Sequence, residues 1–242
     1  MTNISTTVVR PGKHLGTDVS NASTIGEATE MANLNWGLKV LPADHLTVMT
    51  DEGMTSTSIP GMRLVTRADN SLTLGVVGNR YNPLQNDEVF ALGEHFLARG
   101  ARPTEAGQLD GGRRVFMDFS IPDGHVTIGQ GDLVKFSLSI RANHDGRGDV
   151  TAALIGRRLV CSNGMTALIP NLPHTFSVRH TRHAAGRMIE AEEILDGAVR
   201  YAKEFSALAQ EMLDTSFTET EFRTYIRTLY PEPDKDSRAH AL

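Results

Sequence analysis

The sequence predicts an α+β fold: an antiparallel β-meander packed with helices, ordered β-β-α-β-β-β-α, with a helical C-terminal part. Three observations carry this prediction. Asp132–Arg141 alternates, with Val134, Phe136, Leu138 and Ile140 on one side and Leu133, Lys135, Ser137, Ser139 and Arg141 on the other; this is the period of a strand with one dry and one mostly polar face. Turn-forming clusters, Pro122-Asp123-Gly124 and Asn143-His144-Asp145-Gly146, bracket it. The period then changes, because Met188, Ala191, Leu195, Ala198, Ala202, Phe205, Ala209 and Met212 recur at helical spacing.

The elements follow in chain order. Residues 1–32 are rich in Thr, Ser, Asn and Gly and read as a flexible N-terminal arm. Residues 33–185 read as the α+β core. Trp36, Leu38 and Val40 alternate toward Pro42, as in an edge strand or docking segment. Met62–Arg67 and Ser71–Val77 flank Ala68-Asp69-Asn70, a hairpin signal. Asn86 or Asp87 caps a helix over 87–99, with Val89, Phe90, Leu92, Phe96 and Leu97 as its stripe and Gly100 as its stop. Arg113–Ile121, Asp132–Arg141 and Asp149–Val160 are the meander strands, and a short helix is expected near Met165–Ile169. Residues 186–230 read as C-terminal helices; Thr218 and Glu221 form a capping-box pattern for the last one. Residues 231–242 read as a disordered polar tail.

Composition narrows the class. The chain has 242 residues, is 40% apolar and 22% charged, and carries a net charge of -5, which suits a globular protein. Yet Arg99–Arg187 holds 12 Lys and Arg against 7 Asp and Glu. A basic centre in an acidic chain points to an anionic partner held at one place. Cys161 is the single cysteine, so an intrachain disulfide or a multi-cysteine zinc site has no ligands. No secretory signal pattern is evident, and no apolar run approaches the roughly 18–20 residues of a membrane span. A soluble, cytoplasmic protein is the expectation.

The motifs favour binding over chemistry. Gly107-Gln108-Leu109-Asp110-Gly111-Gly112-Arg113-Arg114 is glycine-rich but lacks the G-K-[ST] ending of a P-loop, and a strand follows it. It reads as a phosphate-holding concavity or as a tight turn needing positive φ. Arg113, Arg114, Lys135, Arg141, Arg157 and Arg158 are the candidate phosphate contacts. Adjacent arginines alternate across a sheet, so one of each pair meets a given ligand; Arg114 is favoured because Val115 is core. Phe116 is the candidate stacking aromatic, with a place in the core as the alternative. His144, Asp145 and Asp149 suggest a metal-dependent nuclease as a rival reading. His144-Asp145-Gly146 is equally ordinary turn chemistry, and Cys161 ends an apolar run as a buried thiol would. No hydrolase motif is present, so no catalytic residue, resident metal or cofactor is assigned.

Several of these segments also form a recognisable set. L-G-T at 15–17, W-G at 36–37, V-G-N-R-Y-N-P-L-Q-N at 77–86, E-A-G-x-L-x-G-G-R-R at 105–114, N-H-D-G at 143–146, R-L-V-C-S-N at 158–163 and R-H-T at 179–181 resemble the phage/plasmid-like protein family, a domain of unknown function. The resemblance runs over about 15–215, with Gly164 departing from the Thr of many relatives. The element order is similar to the core of the Rad-type single-strand annealing proteins, which form rings or filaments and lay single-stranded DNA in a basic groove. That resemblance implies a homo-oligomeric phage protein that binds single-stranded DNA and promotes annealing in recombination or replication, without nucleotide hydrolysis. A phage structural or host-interaction protein, docking through its N-terminal arm, is the third reading.

Overall fold

Alternating apolar side chains along 114–159 build three long antiparallel strands, and the rest of the fold packs around them. The computed structural model describes residues 15–43, 46–57, 60–129, 132–159, 166–169, 175–178, 192–216 and 218–230. In chain order these hold β1 (Thr17–Asp18), α1 (Ile25–Met31), β2 (Leu38–Pro42), β3 (Leu46–Thr50), β4 (Gly53–Thr57), β5 (Met62–Arg67) and β6 (Thr73–Gly78). Next come α2 (Asn86–Phe90), α3 (Leu92–Ala98), β7 (Arg102–Leu109), a 3-10 turn (Asp110–Gly112), β8 (Arg114–Ile128), β9 (Asp132–Asn143) and β10 (Val150–Leu159). β11 (Thr166–Ile169), β12 (Thr175–Val178), α4 (Glu192–Asp214) and α5 (Glu219–Leu229) complete the described chain.

The fold is α+β. The main sheet runs β1-β7-β8-β9-β10-β11, and β12 also pairs with β10. A second sheet, β2-β5-β6, and a separate β3-β4 hairpin accompany it. Helices cover the face carrying Met117, Phe119, Phe136, Leu138 and Ile140, all buried. Phe96 of α3 meets Phe119 edge-on at 5.4 Å, and Tyr201 and Phe205 of α4 meet Phe136 at 6.0 and 5.3 Å. Burial of that face leaves Lys135 and Arg141 exposed on the other.

Several expectations change. Residues 15–32, expected in a loose arm, are built into the core: Val19, Ala22, Ile25 and Ala28 are buried. The polar composition there is largely capping chemistry. Thr24 accepts from the Glu27 amide at 3.1 Å, and Glu27 accepts from the Ser23 amide at 2.7 Å. Residues 1–14 lie outside the described residues, as do 231–242 and Cys161. The helix over 87–99 is two short helices that meet at Ala91. Pro122-Asp123-Gly124 does not end a strand. It forms a large bulge within β8, where pairing jumps from Ser120↔Ser137 to His125↔Lys135, and the reversal comes after Ile128. The short helix near Met165–Ile169 is instead β11, because Thr166–Ile169 pairs with Gly156–Leu159 and satisfies that stretch of the edge of β10. The predicted hairpin of β5 and β6, the edge strand β2, and the Thr218–Glu221 capping box are all present.

Candidate nucleic-acid interface

Strand register decides which basic side chains share a surface. Phe116 pairs with Arg141 and Arg141 with Thr151, while His125 pairs with Lys135 and Lys135 with Arg157. Residues directly opposite share a face, so Lys135, Arg141 and Arg157 lie together on the side away from α3 and α4. Arg114 belongs to the same alternation, two residues before Phe116. Lys135 and Arg141 are six positions apart, giving a stripe about 20 Å long at about 3.3 Å per residue.

The carboxylates on this face are specific in placement. Arg114 makes two hydrogen bonds to Asp110 Oδ2, at 2.9 and 2.6 Å, and both side chains are exposed. Such a pair contributes little to stability and can exchange for a phosphate. Arg157 Nη2 stands 3.4 Å from Asp118 Oδ2, and the Asp118 side chain is 7% exposed. Burial pushes the Asp118 carboxyl above the usual carboxylate range, opposed by a hydrogen bond from Ser139 and by the charges of Arg157 and Arg141; Glu105 adds to the rise. Folding therefore shifts the carboxyl toward protonation relative to the unfolded chain, and the two arginines oppose that shift. Asp118 ionised is a cost to folding at neutral pH, and that cost falls away as pH drops through its raised pKa.

The remaining candidates divide. Arg113 is exposed, and its carbonyl accepts the His144 amide at 2.7 Å, so it sits at the joint of two loops just outside the stripe. The backbone of Arg158 pairs with Val134, a residue of the buried face, and its side chain lies outside the described residues. Phe116 is not an exposed stacking platform. It is 8% exposed because β1 and the glycines Gly16 and Gly107 close over it. A Cβ on Gly16 would meet the Ala106 carbonyl and come within 2.9 Å of Phe116; only glycine permits so close an approach. Phe116→Ala is accordingly expected to cost about 3–5 kcal/mol of stability and to leave the salt dependence of any nucleic-acid binding unchanged. Urea unfolding alongside a salt-series binding assay checks both.

A second assembly carries no motif that announces it. Trp36, Arg67, Asn86 and His144 meet at one end of the main sheet, and all four are buried. The Arg67 guanidinium lies 4.1 Å over the Trp36 ring and is held by Asp69, Gln108 and the Gly111 carbonyl. His144 meets Trp36 edge-on at 5.8 Å, and its Nε2 lies 2.8 Å from Asn86 Oδ1. Asn86 Nδ2 donates to the carbonyls of Leu34 and Trp36 at 2.9 and 3.1 Å. Gly112, at φ +102°, presses so closely on Trp36 that a Cβ would stand 2.8 Å from the indole. This knot ties β2 and β5 to the turns at 110–113 and 143–148, from which Arg113, Arg114 and Arg147 extend. Its sequence signal is the set of W-G, L-Q-N, G-G-R-R and N-H-D-G segments, because these distant segments supply its buried residues.

This geometry removes the lead ligand of the nuclease reading. His144 is fully buried and engaged with Asn86, while the Asp149 carboxylate accepts from Ser177 at 2.9 Å. Among the described residues no group of three or more His, Cys, Asp or Glu side chains comes together to hold a metal. No helix of the described residues is long and apolar enough to cross a membrane.

Residues 73–241 match a family model described as a domain of unknown function, DUF932. The match starts at β6 and takes in the whole cationic face. No curated protein and no solved structure matches the chain.

Proposed function

The chain belongs to the DUF932 family, and we propose that it binds single-stranded DNA on the exposed face of its meander and promotes annealing of complementary strands. One observation carries this reading: Lys135, Arg141 and Arg157 come from two neighbouring strands onto one face, opposite the one that α3 and α4 cover, with Arg114 at its edge. Phosphate contacts of this kind need no chemistry and leave bases free to pair. Assembly into a homo-oligomeric ring or filament would multiply weak contacts along one strand. A role in phage recombination or replication belongs to the same proposal and rests on the motif resemblance.

The test is fluorescence anisotropy with labelled single strands and duplexes over a salt series. Two to three phosphate contacts give a log–log slope of about -1.4 to -2 for single strands, at about -0.7 per contact, with the single strand preferred. Binding that ignores salt, or none below about 100 mM salt, defeats the proposal.

A further inference from the structure

We infer that Asp118 is a positioning residue of this face: one buried carboxylate that draws Arg141 and Arg157 together into a clamp for a single phosphodiester group. The inference deepens the proposed function and rests on it.

Both arginines are tied to the same point. Arg157 Nη2 approaches Asp118 Oδ2 directly at 3.4 Å. Arg141 Nε donates to Ser139 Oγ at 3.1 Å, and Ser139 is the cross-strand partner of Asp118 on the same face. The carboxylate lies beneath the surface while Arg157 is 37% exposed. Asp118 Oδ1 has no hydrogen-bond partner among the described residues. Stability does not account for this arrangement, since a buried carboxylate so incompletely bonded costs folding energy. A clamp does account for it: the carboxylate gives Arg157 a direct partner, while Ser139, its cross-strand neighbour, holds Arg141. Two cations and one anion leave a local charge of about +1, enough to receive one phosphate on forks already oriented.

Two readings of Asp118 predict opposite signs. If it merely neutralises the face, Asp118→Asn strengthens DNA binding. If it positions the clamp, the same substitution weakens binding although the protein becomes more positive. The experiment uses the full chain and a fluorescein-labelled oligothymidylate across a salt series, with thermal melts as a folding check. For Asp118→Asn we expect affinity about five- to tenfold weaker at about 100 mM salt and a log–log slope shallower by about 0.7. Asp123→Asn makes the same charge change at an exposed position of β8, and is expected to leave affinity equal or slightly tighter. Asp118→Asn combined with Arg157→Gln should bind no more than about threefold more weakly than Arg157→Gln alone, the remainder coming through Arg141. Should Asp118→Asn fail to fold, Ser139→Ala cuts the link to Arg141 and is expected to weaken binding about two- to threefold. Tighter binding by Asp118→Asn, fully additive losses in the double variant, or unchanged affinity of Ser139→Ala overturns the inference alone. A wild-type chain that ignores the oligothymidylate overturns the inference and the proposed function together.

Discussion

Trp36→Ala is expected to cost about 3–5 kcal/mol, at the upper end of what a single core truncation does. The indole is the surface on which three segments meet: Arg67 stacks over it, His144 meets it edge-on, and Gly112 presses against it. Alanine would open a cavity and leave a buried guanidinium without its aromatic face, an interaction that contributes about 1–2 kcal/mol when desolvated. Trp36→Phe should cost much less. The Trp36 Nε1 has no hydrogen-bond partner among the described residues, so phenylalanine forfeits area but no hydrogen bond. Urea denaturation of both variants measures the difference. Equal losses would show that the knot is not organised by the aromatic ring. Because the knot holds the turns that present Arg113 and Arg114, Trp36→Phe should also bind single strands more weakly while still folded.

Replacing Lys135, Arg141 and Arg157 together by alanine is expected to reduce affinity for single-stranded DNA about 10²- to 10³-fold at about 100 mM salt. The salt slope should become shallower by about 1.4 to 2, at about 0.7 for each phosphate no longer neutralised. The three side chains lie on the face opposite α3 and α4 and are exposed or half-exposed, so the melting curve should change little compared with Trp36→Ala. Anisotropy titrations at several salt concentrations, paired with thermal melts, separate weakened phosphate binding from loss of fold. A triple variant that binds as tightly as wild type would place any nucleic-acid site elsewhere.

Much of this is legible in the residues. The alternation in β8, β9 and β10 tells which side chains share a face, because pleating is local and needs no knowledge of the partner strand. On that basis Arg114 goes with Asp118, and Lys135 with Arg141. Phe116 shows the limit of such reasoning. Alternation places it on the polar face, yet Gly16, a residue 100 positions earlier and next to β1, lies against its ring. Thr166–Ile169 shows another limit: a local preference for helix gives way to the hydrogen bonds offered by β10. Residues 15–32 resemble a loose arm because capping residues and loop residues are the same amino acids, and only the buried Val19, Ile25 and Ala28 distinguish the two uses.

By itself, then, the chain's order of residues determined the α+β class, the meander, the side of each strand that is dry, and the concentration of basic charge between 99 and 187. These follow from periodicity and composition, which are properties of neighbouring residues. Tertiary structure alone decided that Asp118 lies under Arg157, that Phe116 is covered, and that Trp36, Arg67, Asn86 and His144 form one buried assembly. Each of those associations joins segments far apart along the chain, and their pairing depends on which strands and helices dock together.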